Sequence, residues 1–597
     1  MKKYLLFITT CLTILFMSHT SNAADNLQIS YTLSFPEAQA HYVEVEMDIS
    51  GIHQPFIDLK MPVWTPGSYL VREYAKNVES LTAWNGSTPV SARKINKNTW
   101  HVMPAGASSV KVKYRVYCFE ISVRTSFVNV AHGFISSAGT FLYPAGMLTN
   151  SSTIHIKPYK GWDKVSTSLD MVGSDPFTVH APNYDILYDS PIEVGNQDVF
   201  GFDAAGVKYE VAMCLGGNYD KERLKKDLKK LVEKETEIFG ENPNKRYVFI
   251  VHNYAKGGGG LEHLSSTVLG ATRDAYATEA GYQRFLGLAA HEHFHLWNVK
   301  RLRPIALGPF NYDEENYTTD LWIAEGFTNY FDNLVIHRLG LYSTENYLAT
   351  LCGDINLIEN SPGNKIQPLY EASYDAWIKY YRPTENSANM SVSYYSKGSV
   401  AAMMLDLEII QDSKCKYSLD DVMKYMYTEY YKVKKRGYTD DEFKQGLEKF
   451  AGKNLDEFYK KYIYGLDAVD YKKYLGYAGL ELVDDRAGLN EPSLGITLVA
   501  NINKPVVATV LRDGAAWVDG LNVNDEINAI DGQPFDPATS LIGKKVGDKI
   551  NLTITRDGLP MNLRITLLKN TQVKYRIVSI AKPSAEQIAV HGKWLKQ

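Results

Sequence analysis

The chain has 597 residues, 45% hydrophobic and 22% charged, with 64 basic against 68 acidic side chains and 5 cysteines. That near-balance gives no reason to expect nucleic acid or an anionic membrane as a partner. So few cysteines exclude a small disulfide-built scaffold, and the length allows about three or four domains with separate cores.

Lys2 and Lys3 precede an apolar run from Tyr4 to Phe16 and the small-residue pattern Ser21-Asn22-Ala23. This reads as a secretory signal peptide over 1–23. The run is too short for a bilayer span, and no later segment has the roughly 18 uninterrupted apolar residues one needs. The expectation is an exported protein, periplasmic or extracellular, without a transmembrane anchor. Losing the two leader lysines takes the formal charge from −4 to −6. Cys118, Cys214, Cys352 and Cys415 then remain, enough for up to two disulfides in an oxidising compartment.

Residues 24–206 read as a β domain. Val43, Val45, Met47 and Ile49 alternate with acidic residues, and Val110, Val112, Tyr114 and Val116 alternate with basic ones. Period two with one charged face predicts half-buried antiparallel strands in a sandwich or open sheet. Met61 to Tyr69 interrupts this with two prolines and two large aromatics. A structural corner is the favoured reading there, a loop at an active cleft the other.

From 207 to 475 the texture is mixed. Val207 to Leu215 reads as a strand, Asp220 to Phe239 as an amphipathic helix stopped by Gly240, and Arg246 to Val251 as another strand. The run Gly257 to Gly260, followed by Leu261-Glu262-His263, is either a flexible loop or a substrate-facing edge. In the second reading Gly259 and Gly260 let an extended peptide approach the backbone, and Glu262 meets a positive group. A helix predicted over about 282–297 carries His291-Glu292-His293-Phe294-His295. Positions i and i+4 share a helix face, so His291 and His295 aim two imidazoles at one point, as a tetrahedral zinc requires, with Glu292 beside them as base. His293 points elsewhere and is expected to be a satisfied supporting or surface histidine.

Two histidines do not close a metal site. The next helix, with Thr318-Thr319 as its expected cap, carries Glu325 at the edge of the apolar run Leu321 to Ala324. A carboxylate there is costly unless paired or metal-bound, so Glu325 is the third candidate ligand. Asn329, one turn on, either holds a ligand histidine in its tautomer or is a plain surface amide. Tyr395, in Tyr394-Tyr395-Ser396-Lys397-Gly398, is either a packing residue or a donor to an oxyanion.

Taken together, Gly259 to His263, His291 to Pro304, Trp322 to Gly340, Lys379 to Gly398 and Trp64 to Tyr69 resemble the glycyl aminopeptidase family of gluzincin zinc metallopeptidases. The resemblance implies a thermolysin-like catalytic domain, one Zn2+ per chain on His291, His295 and Glu325, and Glu292 as base. It implies that Glu262 binds the substrate's α-amine, although Leu261 and His263 replace the methionine and asparagine of the wider G-x-M-E-N motif. Tyr395 maps onto the oxyanion-stabilising tyrosine of a Y-x-K-G motif. Hydrolysis of the first peptide bond of peptides beginning with small residues, Gly or Ala, is what the family implies. A zinc endopeptidase of the same fold and a non-catalytic peptide-binding module are the alternatives.

After Gly398 the sequence reads as helical to about Leu475. Residues 476–575 return to short strands. Leu494 to Thr497 followed by Gly514-Ala515-Ala516-Trp517, Gly520-Leu521 and Asp531-Gly532 resembles a PDZ domain, which implies capture of a peptide or protein C-terminus by strand addition. Residues 576–597 are a C-terminal tail, of which Lys582 to Gln597 is expected to form a terminal helix. The whole is a multidomain α+β chain: sandwich-like β domain, thermolysin-like domain with helical bundle, and PDZ-like β domain.

Overall fold

The computed structural model describes residues 27–500 and 504–596. The leader read over 1–23 lies outside the described residues. The architecture is multidomain α+β, with a large N-terminal β domain, a mixed and largely helical domain, and a small C-terminal β domain.

Strands β1 (Gln28–Ser34), β2 (Tyr42–Ser50) and β3 (Ser109–Tyr117) lie within an 11-stranded sheet. Val43, Val45, Met47 and Ile49 are buried while the acidic residues between them are partly exposed. The register sets Met47 opposite Val112 and Val45 opposite Tyr114, so the alternation seen in the sequence becomes one continuous apolar face. A separate 4-stranded sheet contains β4 (His132–Ile135) and β5 (Ile192–Gly195).

The mixed domain starts with a 5-stranded sheet of β6 (Asp198–Ala204), β7 (Val207–Cys214), β8 (Arg246–Tyr254), β9 (Gly260–Glu262) and β10 (Ser266–Thr272), in spatial order β6-β7-β8-β10-β9. The parallel strand β8 is buried almost throughout, as a sheet covered on both faces requires. β9 is the edge strand, antiparallel to β10, with Glu262 opposite Thr267. Buried contacts fasten this sheet to the N-terminal domain. His132 Nδ1 and His252 Nε2 lie 2.7 and 3.0 Å from the two oxygens of Glu193, and all three residues are buried.

Helix α1 (Lys221–Phe239) is capped by the Asp220 side chain and ends at Gly240 with φ +88°, burying Leu224, Leu228, Leu231 and Val232 as expected. Helix α2 (Glu279–Phe294) begins three residues before the predicted start, because Thr278 accepts from the Gly281 amide, and it ends with His295 as C-cap. The segment Trp322–Phe327 is π-helical and runs into α3 (Thr328–Arg338). The cap expected at Thr318-Thr319 does not form. The Asp320 carbonyl accepts from the Ile323 and Ala324 amides instead, and the Thr319 hydroxyl donates to Asp440. Helix α4 (Tyr394–Asp412) crosses this π segment at two glycines. A Cβ at Gly326 would stand 2.5 Å from Gly398 Cα, and one at Gly398 would stand 2.6 Å from the Trp322 carbonyl oxygen.

Strand β11 (Leu480–Asp484) leads into the small C-terminal domain, which includes β12 (Ile496–Leu498) and β13 (Val507–Val510). β14 (Tyr575–Ser579) returns antiparallel to β11, and α5 (Ala585–Leu595) forms the expected terminal helix. Trp594 of α5 is fully buried, and its Nε1 donates to Tyr330 Oη at 2.6 Å. The room for two disulfides is not used: Cys118, Cys214, Cys352 and Cys415 are all free. No helix among the described residues is long and apolar enough to cross a membrane.

Candidate active site

α2 and the π segment bring the two candidate histidines and the candidate carboxylate together. Glu325 Oε2 lies 3.6 Å from His291 Nε2 and 3.3 Å from His295 Nε2, with the imidazole centroids 4.7 Å apart and the rings nearly perpendicular. Tetrahedral zinc with bonds of about 2.0–2.1 Å separates its donors by roughly 3.3–3.4 Å. Three atoms at this spacing, two neutral imidazole nitrogens and a carboxylate oxygen, therefore fit one zinc ion.

The far nitrogens of both rings are engaged. His291 Nδ1 donates to Asp332 Oδ2 at 2.9 Å, and His295 Nδ1 donates to the Asn298 carbonyl at 2.7 Å. Each bond fixes the tautomer that leaves Nε2 facing Glu325. Asn329, read as a possible holder of a ligand histidine, donates instead to Asp354. Asp332 carries a signal legible in the sequence: it lies seven residues after Glu325, two helical turns on and on the same face. Burial alone would raise the Glu325 carboxyl, but His295 and His291 beside it hold it down at about 2.

Glu292 is buried, with Oε2 lacking a partner. Burial pushes its carboxyl up to about 7 against the pull of His291 and His295. Gly260 explains why its position must lack a side chain, since a Cβ there would stand 2.2 Å from Glu292 Oε1. Gly259 supplies a left-handed turn, φ +76°, just before β9. Glu262, two residues along the strand, is buried with Oε1 unpartnered, and it shares a cluster of close oxygens and nitrogens with Glu292 and His295. The loop expected to be a structural corner packs on this carboxylate. Gly67, φ +86°, lies where a Cβ would be 2.4 Å from Glu262 Oε1, while Trp64 and Tyr69 are buried behind it.

Tyr395 is partly exposed and lines the cleft, whereas Tyr394 is buried. Its ring lies 6.2 Å from that of His291, and burial together with Glu325 raises its phenol well above the ordinary value, which keeps it a donor at neutral pH. The Gly326–Gly398 contact is what brings α4 close enough for this. His293 faces away from the metal ligands, as read, and is fully buried: Nδ1 lies 2.5 Å from Glu235 Oε2 and Nε2 lies 3.1 Å from Tyr209 Oη. His263 turns from the cleft to Asp189, 3.2 Å away, which also pairs with Lys300. Arg124, which no local pattern in the sequence marks, reaches into the cleft from the N-terminal domain, its Nη2 donating to the Gly260 carbonyl at 2.9 Å.

Family models match three stretches: the peptidase M61 N-terminal domain over residues 30–196, the M61 glycyl aminopeptidase domain over 284–401, and a PDZ domain over 492–567. The chain thus carries both M61 domains, the N-terminal one and the glycyl aminopeptidase one. This M61 peptidase is a zinc metallopeptidase, with a PDZ domain following its catalytic domain. It is 28% identical to a solved aminopeptidase N family protein from Idiomarina loihiensis, with a TM-score of 0.89 over 95% of this chain and 100% of that one. The M1 zinc metallopeptidase from Deinococcus radiodurans is a more distant likeness, 13% identical with a TM-score of 0.44 over 71% of this chain and 90% of that one. Aminopeptidase A of Legionella pneumophila is 12% identical, TM-score 0.48, over 94% of this chain and 58% of that one. No curated protein matches the sequence.

Proposed function

We propose that this M61 peptidase is an exported aminopeptidase that removes small N-terminal residues, Gly or Ala, from peptides, with His291, His295 and Glu325 holding zinc. The observation that carries the reading is Glu262. A buried carboxylate oxygen without a partner, on the edge strand beside Glu292, is costly unless a cation pairs with it. A substrate's α-ammonium is that cation. A continuing chain in its place would bury the charge unpaired, which confines cleavage to the first bond.

Zinc on these three donors supplies Lewis acidity, lowering the pKa of water to about 7 and polarising the carbonyl. The protein's part is proton movement and placement. Glu292, against Gly260, takes the proton of the attacking water and returns it to the leaving amine. Tyr395 donates a hydrogen bond to the carbonyl oxygen as negative charge grows there. Gly259 and Gly260 admit the substrate backbone to the strand edge. Asp332 and the Asn298 carbonyl keep the two imidazoles oriented. The preference for a small first residue is supported by the glycyl aminopeptidase model that matches residues 284–401.

The test is hydrolysis of Gly-, Ala- and Leu-anilides, with and without N-acetylation, by the native protein and by Glu292→Gln. Free Gly and Ala anilides are cleaved, acetylated ones are not, and Glu292→Gln is inactive. Equal rates on blocked and free substrates would support the endopeptidase alternative, and activity in Glu292→Gln would overturn the base assignment. N-terminal sequencing of secreted or periplasmic material checks processing after Ala23. At the C-terminal domain the ligand is a peptide C-terminus received by the Leu494 to Thr497 loop and β12. Gly495, φ +70°, supports this with the tight turn such a loop needs.

A further inference from the structure

Arg124 is placed for more than structure. It belongs to the N-terminal domain, where its own carbonyl accepts from Tyr74 Oη at 3.0 Å and Ser136 Oγ at 3.1 Å, so its backbone is pinned on both sides. Its side chain leaves that domain and forms part of the wall of the cleft, which has a volume of about 810 Å³. Nη2 spends one bond on the Gly260 carbonyl, Nε is buried without a partner, and Nη1 passes beside Gly259. A guanidinium has five donors in a planar fork suited to a carboxylate. The acidic groups nearest its charge, Glu292 and Glu262, already have roles at the reacting bond and at the amine, and Arg124 hydrogen-bonds neither.

The spacing along β9 identifies what the fork meets. Glu262 and Gly260 lie two residues apart on one strand and point to the same face, so they are about 6.6 Å apart. Two residues of extended peptide span about the same length. A peptide lying along this edge with its amine at Glu262 brings the end of its second residue level with Gly260, where the guanidinium stands. Resting on the amine role of Glu262, we propose that Arg124 pairs with the free α-carboxylate of a dipeptide and makes dipeptides the preferred substrate class. The amine and the carboxylate of the substrate are then read by opposite charges at the two ends of one short strand.

The test compares Ala-Ala, Ala-Ala amide and Ala-anilide on the native protein, Arg124→Gln and Arg124→Lys. A charge-assisted pair predicts that the native protein cleaves the acid about ten- to a hundredfold more efficiently than the amide, mainly through KM. In Arg124→Gln that ratio falls to about one, and Arg124→Lys recovers part of it. A second readout avoids turnover: Glu292→Gln binds Ala-Ala more tightly than its amide by calorimetry, and the Glu292→Gln, Arg124→Gln pair does not. If the native protein treats acid and amide alike, or if Arg124→Gln keeps the native ratio, the proposal is wrong. Failure to cleave the free anilide counts against the aminopeptidase reading instead, and the binding comparison still decides the role of Arg124.

Discussion

Replacing Gly398 with alanine separates what packing contributes to stability from what it contributes to the site. The new methyl would stand 2.6 Å from the Trp322 carbonyl oxygen and 2.9 Å from Gly326 Cα. Carbon atoms rest at about 3.5 Å or more, so α4 and the π segment must part by about 0.6 Å. Such overpacking costs about 1–3 kcal/mol, and the better helix propensity of alanine returns about 1. The net loss of about 0–2 kcal/mol shifts Tm by only a few degrees. The displacement, however, moves Tyr395 on one helix away from Glu325 on the other. A misplacement of about 1 Å can cost a hundredfold in rate, so kcat/KM should fall about ten- to a hundredfold. Scanning calorimetry of the metal-free protein and kcat/KM on Ala-anilide measure the two quantities separately. A variant within about twofold of native activity, a change below about 0.5 kcal/mol in the barrier, would show that the glycine crossing does not set the catalytic geometry.

Asp332→Asn keeps the shape but weakens the acceptor that orients His291, and zinc affinity should drop about ten- to a hundredfold in chelator competition. An unchanged affinity would remove Asp332 from the metal's support. Gly67→Ala combines a φ of +86° with a methyl pressed on Glu262 Oε1. Discrimination between free and N-acetylated anilides should shrink by at least about tenfold, which rate ratios will reveal. Trp594→Ala empties a fully buried site and strands the Tyr330 hydroxyl, for a loss of about 3–5 kcal/mol in denaturant unfolding. A loss below about 1 kcal/mol would mean the terminal helix is not part of the catalytic unit's core. Chelation should abolish activity while leaving the far-ultraviolet spectrum unchanged, because the ligand helices are held by their own apolar packing.

What could be read in the sequence was whatever depends on neighbours along the chain. The i, i+4 spacing of His291 and His295, the alternation in β2 and β3, and the apolar face and glycine stop of α1 follow from backbone periods and local residue preferences. Glu325 was legible because an acid in an apolar run needs a reason. Asp332 follows the same helical period, but at two turns from Glu325 its signal is weaker than that of Asn329 at one turn. The role of the Trp64 to Tyr69 loop was misjudged because its target, Glu262, lies almost two hundred residues away and nothing local encodes that contact. Arg124 was invisible for the same reason, being 136 residues from the carbonyl it holds. The π-helical turn at Trp322–Phe327 packs against Gly398 of another helix, a contact absent from its own sequence, which reads as ordinary α-helix.

The helix at Ala585–Leu595 carries a consequence for which pieces of the chain can fold alone. Trp594 completes a chain of bonds through Tyr330 on α3 to Asp406 on α4, although the whole PDZ domain separates it from them along the sequence. A fragment cut before the PDZ domain leaves the helical core without one wall. The two domains are thus tied together by a segment that lies beyond both, and neither boundary is a clean place to divide the molecule.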